Sequence, residues 1–169
     1  MKKYLFAFVI SLSMFHPIKE AYAPPNPNQV ALNKEFYCMA QNIYWEARSE
    51  NIEGQIAVAF VVLNRLKNKR YPNTICNVVK EGPTLAGTSF PKRNTCQFSW
   101  YCDGQSDVPK NSTSWDIATT LTYEILVLNK YADLIDGATH YHATYVSPKW
   151  AKRLAKTKQI GLHIFYKSV

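Results

Sequence analysis

Glu46 is the residue of this sequence best suited to carry chemistry. It stands in the stretch AQNIYWEARSE at positions 40–50, near the end of a predicted helix and among apolar and aromatic neighbours. A carboxylic acid against an apolar wall keeps its proton to a higher pH, and that property suits a general acid. The alternative interpretation is an ordinary surface glutamate at a helix end.

Glu46 lies near the end of one predicted helix, and a second predicted helix follows it in the sequence. At about 100° per residue, Glu46 falls at the edge of an apolar stripe, so it can face a groove while its helix stays anchored. Asn51 is predicted to cap the next helix, which is apolar nearly all round from Ile56 to Leu66 and therefore belongs in the interior. The stripe consists of Phe36, Met39, Ala40, Ile43 and Ala47.

The rest of the sequence completes the prediction of a small, single α+β domain that is mainly helical. Residues 68–107 show little periodicity and scattered Pro, Gly and Asn, which indicates a long irregular segment. Further elements follow in order: a third helix from Trp115 towards Asn129 capped by Ser114, a strand-like segment at 137–143, a short helix at 149–155 and a strand-like segment at 160–166, the strands forming a minor hairpin or sheet.

The first residues are typical of a secretory signal. Positive residues precede an apolar run from Tyr4 to Phe15, and an A-x-A cleavage site follows at 21–23. An uncleaved anchor is the alternative. We therefore expect a signal peptide at 1–23, an extended Pro-rich leader at 24–33 and a folded domain at 34–169. No transmembrane segment is expected after cleavage, and the mature protein is predicted to be a periplasmic or secreted monomer.

The charge of the chain favours anionic partners. The formal net charge is +8, and it becomes +6 when residues 1–23, with Lys2, Lys3, Lys19 and Glu20, are removed. Cell-envelope polymers and membrane surfaces fit such a charge, whereas export makes nucleic acid an unexpected partner. A basic run, Lys149, Lys152, Arg153, Lys156 and Lys158, is either a solvated face or an attachment point for such a partner.

Four cysteines in an exported chain indicate two disulfides. They are Cys38, Cys76, Cys96 and Cys102. Cys96 and Cys102 are close enough to clip a local loop, and a Cys38–Cys76 bond would tie the first helix to the segment after the second, but the sequence leaves all three pairings open. A zinc site of four cysteines is disfavoured because no C-x2-C pair is present.

Polar and aromatic residues between two of the cysteines form a candidate binding loop. Gln97, Phe98 and Ser99 combine amide, ring and hydroxyl, a set that suits a sugar ligand. A structural loop whose rings fill the core is the alternative. Tyr141 is a candidate for steadying a substrate or a developing charge, or else a half-buried strand tyrosine.

Three histidines offer a rival chemistry. His140 and His142 are two apart on a predicted strand and so share a face, which His163 could approach from a neighbouring strand. Such a layout is typical of catalytic zinc and would favour a zinc-dependent amidase or peptidase. The alternative is that the histidines are hydrogen-bonded in a groove, and His142 and His163 are then predicted to bind substrate.

Six motifs in order give the sequence a resemblance to a known family. Residues 43–50 (IYWEARSE) resemble the I-Y-x-E-A-R-G-E signature of the SleB/CwlJ cell wall hydrolases. The five further motifs, over nearly all of the mature chain from Cys38 to Tyr166, are residues 54–65 (GQIAVA with VLNR), 71–79 (YPNTICNVV), 96–100 (CQFSW), 137–142 (GATHYH) and 160–166 (IGLHIFY).

The resemblance implies a lysozyme-like peptidoglycan hydrolase that needs no cofactor. It implies that Glu46 is the catalytic acid and that the MurNAc–GlcNAc bond is cleaved as by a lytic transglycosylase, which leaves a 1,6-anhydro sugar. One catalytic carboxylate suffices for such an enzyme, because the sugar's own 6-hydroxyl attacks the anomeric carbon. A non-catalytic peptidoglycan-binding module is a further alternative.

Two residues of the signature raise separate questions. Glu50 is a possible second acidic group that could hold water for ordinary hydrolysis, although helix-start charge and capping are the simpler interpretation. Ser49 stands where the family usually has Gly, and a positive φ there would cost roughly 1 kcal/mol with a serine.

Overall fold

The computed structural model describes residues 27–168, with side chains from residue 33 onward. The predicted signal peptide lies outside the described residues. The elements are helices α1 (Pro27–Ala47), α2 (Ile52–Leu66), α3 (Ile75–Val79) and α4 (Ser112–Leu126), the 3-10 helices η1 (Ser99–Cys102) and η2 (Lys149–Arg153), and strands β1 (His140–Ala143), β2 (Ala155–Ile160) and β3 (His163–Lys167).

Helix α2 forms the centre of the core. Its side chains are buried nearly all round, and Val58, Val61 and Val62 have no exposed surface. Asn51 caps the helix as predicted, because its side chain accepts a hydrogen bond from the Gly54 amide at 2.8 Å. Helices α1, α3 and α4 pack around α2 and leave the last turn of α1 at the edge of the core.

Helix α1 begins earlier than the sequence pattern indicated. The leader at 24–33 was predicted to be extended, but α1 already starts at Pro27, so residues 27–33 are helical. Proline is favoured in the first helical turn because its missing N–H would have no partner there, and its fixed φ suits the helix. The Pro-rich composition therefore marked the start of a helix as well as a leader.

The start of α4 also differs from the prediction. Asn111 is the cap, since its side chain accepts from the Ser114 amide at 2.8 Å, whereas Ser114 was predicted in that role. Both residue types cap helices well, and the earlier one is used here. The helix ends at Leu126, and Asn129 beyond it takes a positive φ of 49°.

Three antiparallel strands form one small sheet in the order β1-β3-β2. His140 pairs with Tyr166 and Tyr141 with Phe165 across β1 and β3. Strand β2 pairs with β3 through a two-residue turn that begins at Gly161, whose φ is +54°. The predicted mainly helical α+β class is confirmed, although β2 was not predicted and its first residue had been assigned to the helix at 149–155.

The two disulfides follow one of the three pairings. Cys38–Cys76 ties α1 to α3, and Cys96–Cys102 closes the loop that contains η1. Two amides of the first turn of α3 also donate to the Glu35 carboxylate on α1. The segment predicted to be irregular is thereby fixed to α1. No helix within residues 27–168 is both long enough and apolar enough to cross a bilayer.

Candidate active site

A cavity of about 220 Å³ opens where α1, α2, the 97–99 loop, β1 and η2 meet. Five predicted site residues come together there, although Glu46 and Tyr141 are 95 positions apart in the chain. The lining residues are Glu46, Arg65, Gln97, Phe98, Ser99, His140, Tyr141 and Trp150.

Glu46 stands in the last turn of α1 with its carboxylate against the cavity wall. The Tyr141 hydroxyl donates a hydrogen bond to Glu46 Oε2 at 2.8 Å. Burial raises the pKa of Glu46 above its ordinary value, and the Tyr141 hydrogen bond and the Arg65 charge only partly oppose that rise. Burial therefore favours the protonated carboxyl group, and Tyr141 and Arg65 stabilise the carboxylate after the proton has left. A group that acts first as an acid and then as a base requires both.

Arg65 is the charged residue of the site that the sequence analysis missed. It is only 4% exposed, its Nε donates to the Thr139 carbonyl at 2.9 Å, and its guanidinium lies 5.0 Å from the Phe98 ring and 5.2 Å from the Tyr71 ring. Its Nη1 is buried without a hydrogen-bond partner among the described residues. An arginine in an otherwise apolar buried helix was the available signal, because a buried charge needs a reason.

Tyr141 belongs to the core-facing side of the sheet. Its ring makes an edge contact with His163, with centroids 4.9 Å apart, and lies 5.7 Å from Phe165. Burial, with the nearby Glu46 charge, raises the pKa of Tyr141 well above its usual range. The hydroxyl thus stays protonated and acts as a fixed donor to Glu46.

The 97–99 loop forms the opposite wall of the cavity. Phe98 is buried in the core, whereas Gln97 and Ser99 are exposed at its rim. The backbone N–H of Gln97 donates to the backbone carbonyl of Glu81 at 2.9 Å, and the Cys96–Cys102 disulfide closes the loop. The aromatic residue of the cluster is therefore a core anchor, and the two polar residues are the groups available to a ligand.

Loss of the Cys96–Cys102 disulfide is expected to weaken the site more than the fold. A Cys96→Ser, Cys102→Ser double variant should lower cleavage activity about fivefold, because part of a roughly 2–3 kcal/mol constraint on this short loop would be lost. Activity and thermal unfolding are to be measured together. A variant with unchanged activity would show that the core contacts of Phe98 alone hold the loop.

The three histidines do not form one group. His140 lines the cavity, and His142 shares its face, where the ring stacks on Tyr166 with centroids 5.2 Å apart. His163 pairs with Ala143 and so faces the other side of the sheet, against Tyr141. The rival interpretation, three histidines on one face as zinc ligands, therefore does not fit the strand register, and no group of three or more metal-ligating side chains occurs among the described side chains of residues 33–168.

The predicted substrate-binding role of His142 and His163 is not supported by the cavity, which neither residue lines. His142 Nδ1 lies 2.9 Å from its neighbour's carbonyl oxygen, Ala143 O, and must donate to it, while its Nε2 lies 3.0 Å from the Tyr166 hydroxyl oxygen. Burial lowers the pKa of His163 and, together with the Arg65 charge, that of His140. Burial therefore favours the neutral imidazole at His140 and His163.

Trp150 is a second cavity residue that was not predicted. It lies on η2, half-buried, and its ring contacts those of His140, His142 and Tyr166 at centroid distances of 5.5–5.6 Å. These contacts fix the indole beside the cavity. A rigid aromatic face next to an acid suits the apolar face of a sugar ring.

Glu50 does not line the cavity and is engaged elsewhere. Its Oε2 accepts a hydrogen bond from the Leu162 amide at 3.0 Å and so ties the end of α1 to the β2–β3 turn. A Cβ at Gly161 would lie 2.0 Å from that oxygen, and φ there is positive, so a glycine is required. Glu50, the possible second acidic group, therefore connects the segment after α1 to the sheet and lies outside the cavity.

Glu50→Ala is expected to lower the free energy of unfolding by about 0.5–1 kcal/mol, because the solvent-exposed Leu162 amide loses its protein acceptor but can still bond to water. Its turnover of substrate should stay within about threefold of the wild type. Denaturant unfolding and cleavage assays on the same preparation test this. A Glu50→Ala variant with wild-type stability and lost activity would instead show that Glu50 takes part in the reaction as a second acidic group.

Comparison with known proteins identifies the family of this chain. Residues 49–166 match the Hydrolase_2 family, described as cell wall hydrolase. The spore cortex-lytic enzyme of Bacillus subtilis is 29% identical over 133 residues, 79% of this chain and 37% of that protein. That of Halalkalibacterium halodurans is 31% identical over 134 residues, 79% of this chain and 34% of that protein.

Two solved structures are similar to the fold. The catalytic domain of the Bacillus cereus SleB protein has a TM-score of 0.58 at 28% identity, over 80% of this chain and 91% of that one. The catalytic domain of the germination-specific lytic transglycosylase SleB from Bacillus anthracis has the same score and identity, over 85% and 100%. The predicted lysozyme-like fold is thereby confirmed.

The chain belongs to the Hydrolase_2 family of cell wall hydrolases. It spans less than half the length of the curated relatives that it matches. Glu46 lies three residues before the matched range, so its assignment depends on the cavity geometry. Ser49 is not among the described residues with positive φ, so the serine at the family's glycine position carries no strain of that kind.

Proposed function

We propose that this chain is a peptidoglycan-cleaving lytic transglycosylase that cuts the MurNAc–GlcNAc bond with Glu46 as general acid and then general base. The observation that carries the proposal is that Glu46 is the sole carboxylate among the described residues that line the cavity. Two carboxylates flank the bond in most glycosidases. A site with one fits a reaction in which the substrate supplies its own nucleophile.

The chemistry needs one proton carrier. Protonated Glu46 gives its proton to the glycosidic oxygen as the bond from the anomeric carbon to that oxygen breaks. The resulting carboxylate takes the proton of the 6-hydroxyl while that oxygen bonds to the anomeric carbon. The 1,6-anhydro ring closes, Glu46 is protonated again, and no water is consumed.

The neighbours of Glu46 supply what each step requires. Burial favours the protonated acid before the first transfer, and the Tyr141 hydroxyl and the Arg65 charge stabilise the carboxylate between the transfers. Gln97 and Ser99 at the rim and the Trp150 face are placed to orient the sugars. We also propose that the protein acts in the periplasm or outside the cell, on the basis of the predicted signal at 1–23.

Mass spectrometry of the products tests the proposal. Purified sacculi are treated with the oxidised protein lacking residues 1–23, and the soluble fragments are weighed. Muropeptides that end in 1,6-anhydroMurNAc are expected. Reducing-end sugars would instead indicate ordinary hydrolysis, free stem peptides would indicate an amidase or peptidase, and retention on sacculi without soluble products would indicate a binding module.

A further inference from the structure

The region that carries the sheet, residues 137–168, is strongly basic, and we call it the basic lobe. It contains no Asp or Glu. All six of its Lys and Arg side chains are exposed, and none forms an ion pair with a described residue. Because these side chains are exposed and unpaired with the described carboxylates, their charges are available to a partner. They are Lys149, Lys152, Arg153, Lys156, Lys158 and Lys167.

The basic lobe adjoins the catalytic cavity through Trp150. Three residues make one turn of a 3-10 helix, so Arg153 projects from the same side of η2 as Trp150. Lys156 pairs with Tyr166, whose ring lies 5.6 Å from that of Trp150. Paired residues of antiparallel strands share a face. Arg153 and Lys156 therefore lie beside the aromatic residue that lines the cavity.

We propose that the basic lobe binds the free carboxylates of peptidoglycan stem peptides and thereby directs peptide-bearing glycan into the cavity. This inference rests on the proposed function and names the part of the substrate that the charges recognise. The peptides branch from the same sugars that Glu46 would cleave, so their carboxylates lie within a short distance of the bond. Exposed cations beside the cavity complement that negative charge.

The position of the charges favours stem peptides over an anionic membrane. Tyr145, on the loop between β1 and η2, is 81% exposed and could also enter a bilayer interface. However, a membrane docked on Arg153 and Lys156 would cover the side of the cavity that Trp150 forms. A stem peptide attached to the glycan can pair with the charges of the basic lobe and leave the cavity open to the sugars.

The test compares two substrates and two charge variants. In a Glu46→Gln background, which does not cleave, Lys152→Gln, Arg153→Gln and Lys156→Gln are combined, and a control combines Lys67→Gln, Lys69→Gln and Arg70→Gln. Each triple removes two lysines and one arginine from exposed positions. Sedimentation measures binding to intact sacculi and to sacculi whose free carboxylates have been converted to neutral amides with a carbodiimide and ammonium.

The basic-lobe triple is expected to bind intact sacculi about tenfold more weakly, the size expected for three exposed ion pairs. Its binding to the amidated sacculi should equal that of the parent, the control should behave as the parent on both, and added salt should remove the difference. Equal binding of both triples to intact sacculi would overturn the proposal. So would an equal loss on both substrates, which would mean that glycan contacts or folding had been damaged.

Two further measurements separate the possible failures. Vesicles of equal parts phosphatidylglycerol and phosphatidylcholine test the membrane alternative. A loss of binding to vesicles but not to sacculi in the basic-lobe triple would overturn the stem-peptide proposal in favour of a membrane. Absence of glycan cleavage by the wild type would contradict the proposed function, whereas the sedimentation comparison would still decide what the basic lobe binds.

Discussion

Glu46→Gln is expected to lower the rate of glycan cleavage by about a thousandfold or more while the protein stays folded. The amide keeps the shape of the side chain and still faces the Tyr141 hydroxyl, but it cannot transfer a proton to the glycosidic oxygen. Release of soluble fragments from sacculi measures the effect. Glu53→Gln is the matched control, because Glu53 is an exposed glutamate in the first turn of α2 and should change nothing.

The same substitution makes a prediction about stability. Burial raises the pKa of Glu46 in the folded protein, so the stability that the wild-type carboxyl contributes is fully present below its unfolded pKa and is lost as pH rises through the folded pKa. At neutral pH Glu46→Gln should therefore be as stable as the wild type or more stable. That advantage should disappear in acid. Unfolding of the variant at neutral pH would instead mean that the lost activity reflects damage to the fold.

Tyr141→Phe is expected to lower activity about 10- to 100-fold, because hydrogen bonds to a charged group are worth about 1.5–3 kcal/mol. The hydroxyl supports the Glu46 carboxylate between the two proton transfers, and phenylalanine keeps the ring packing against His163 and Phe165. The loss should therefore appear in kcat more than in KM, with a thermal unfolding midpoint close to that of the wild type.

The pH profile distinguishes this role from simple packing. Activity falls as pH rises through the pKa of Glu46, since the acid must begin protonated. The Tyr141 hydrogen bond lowers that pKa, so its removal should move the alkaline limb to higher pH. A reduced rate with an unmoved alkaline limb would show that Tyr141 only packs beside Glu46.

Local sequence signals were sufficient to place Glu46 in the cavity and to find its helix and much of the cavity wall. Glu46 falls at the edge of a helical apolar stripe, and such a position faces a groove in the structure as the periodicity predicted. The cluster at 97–99 was identified from its composition, and the structure divides it into a buried ring and two exposed polar groups. Asn51 was found because a capping residue acts within one turn of its own position.

The residues that were missed depend on contacts between distant segments. Arg65 belongs to the site because Thr139, Tyr71 and Phe98 enclose its guanidinium, and helix periodicity carries no information about them. Trp150 joins the cavity because η2 packs against the β1–β3 face, which requires the strand register. Such partners are set by tertiary packing and cannot be derived from local patterns.

The register of β1 against β3 decides whether the three histidines could bind one zinc ion. His140, His142 and His163 were candidate ligands because the first two share one face of a predicted strand and the third could approach that face from a neighbouring strand. The pairing of His163 with Ala143 turns it away from the other two. Strand β2 escaped prediction because it is an edge strand with exposed lysines, which protect an edge from pairing but resemble a solvated helix face in sequence.

Digestion of peptidoglycan in water enriched in ¹⁸O tests the central claim most directly. If the 6-hydroxyl closes the ring with Glu46 as acid and then base, the new sugar ends produced by the wild type carry no ¹⁸O and lack the mass of one water. Glu46→Gln should produce no such ends. New ends that carry one ¹⁸O would show that water attacks the anomeric carbon and would contradict the transglycosylase account.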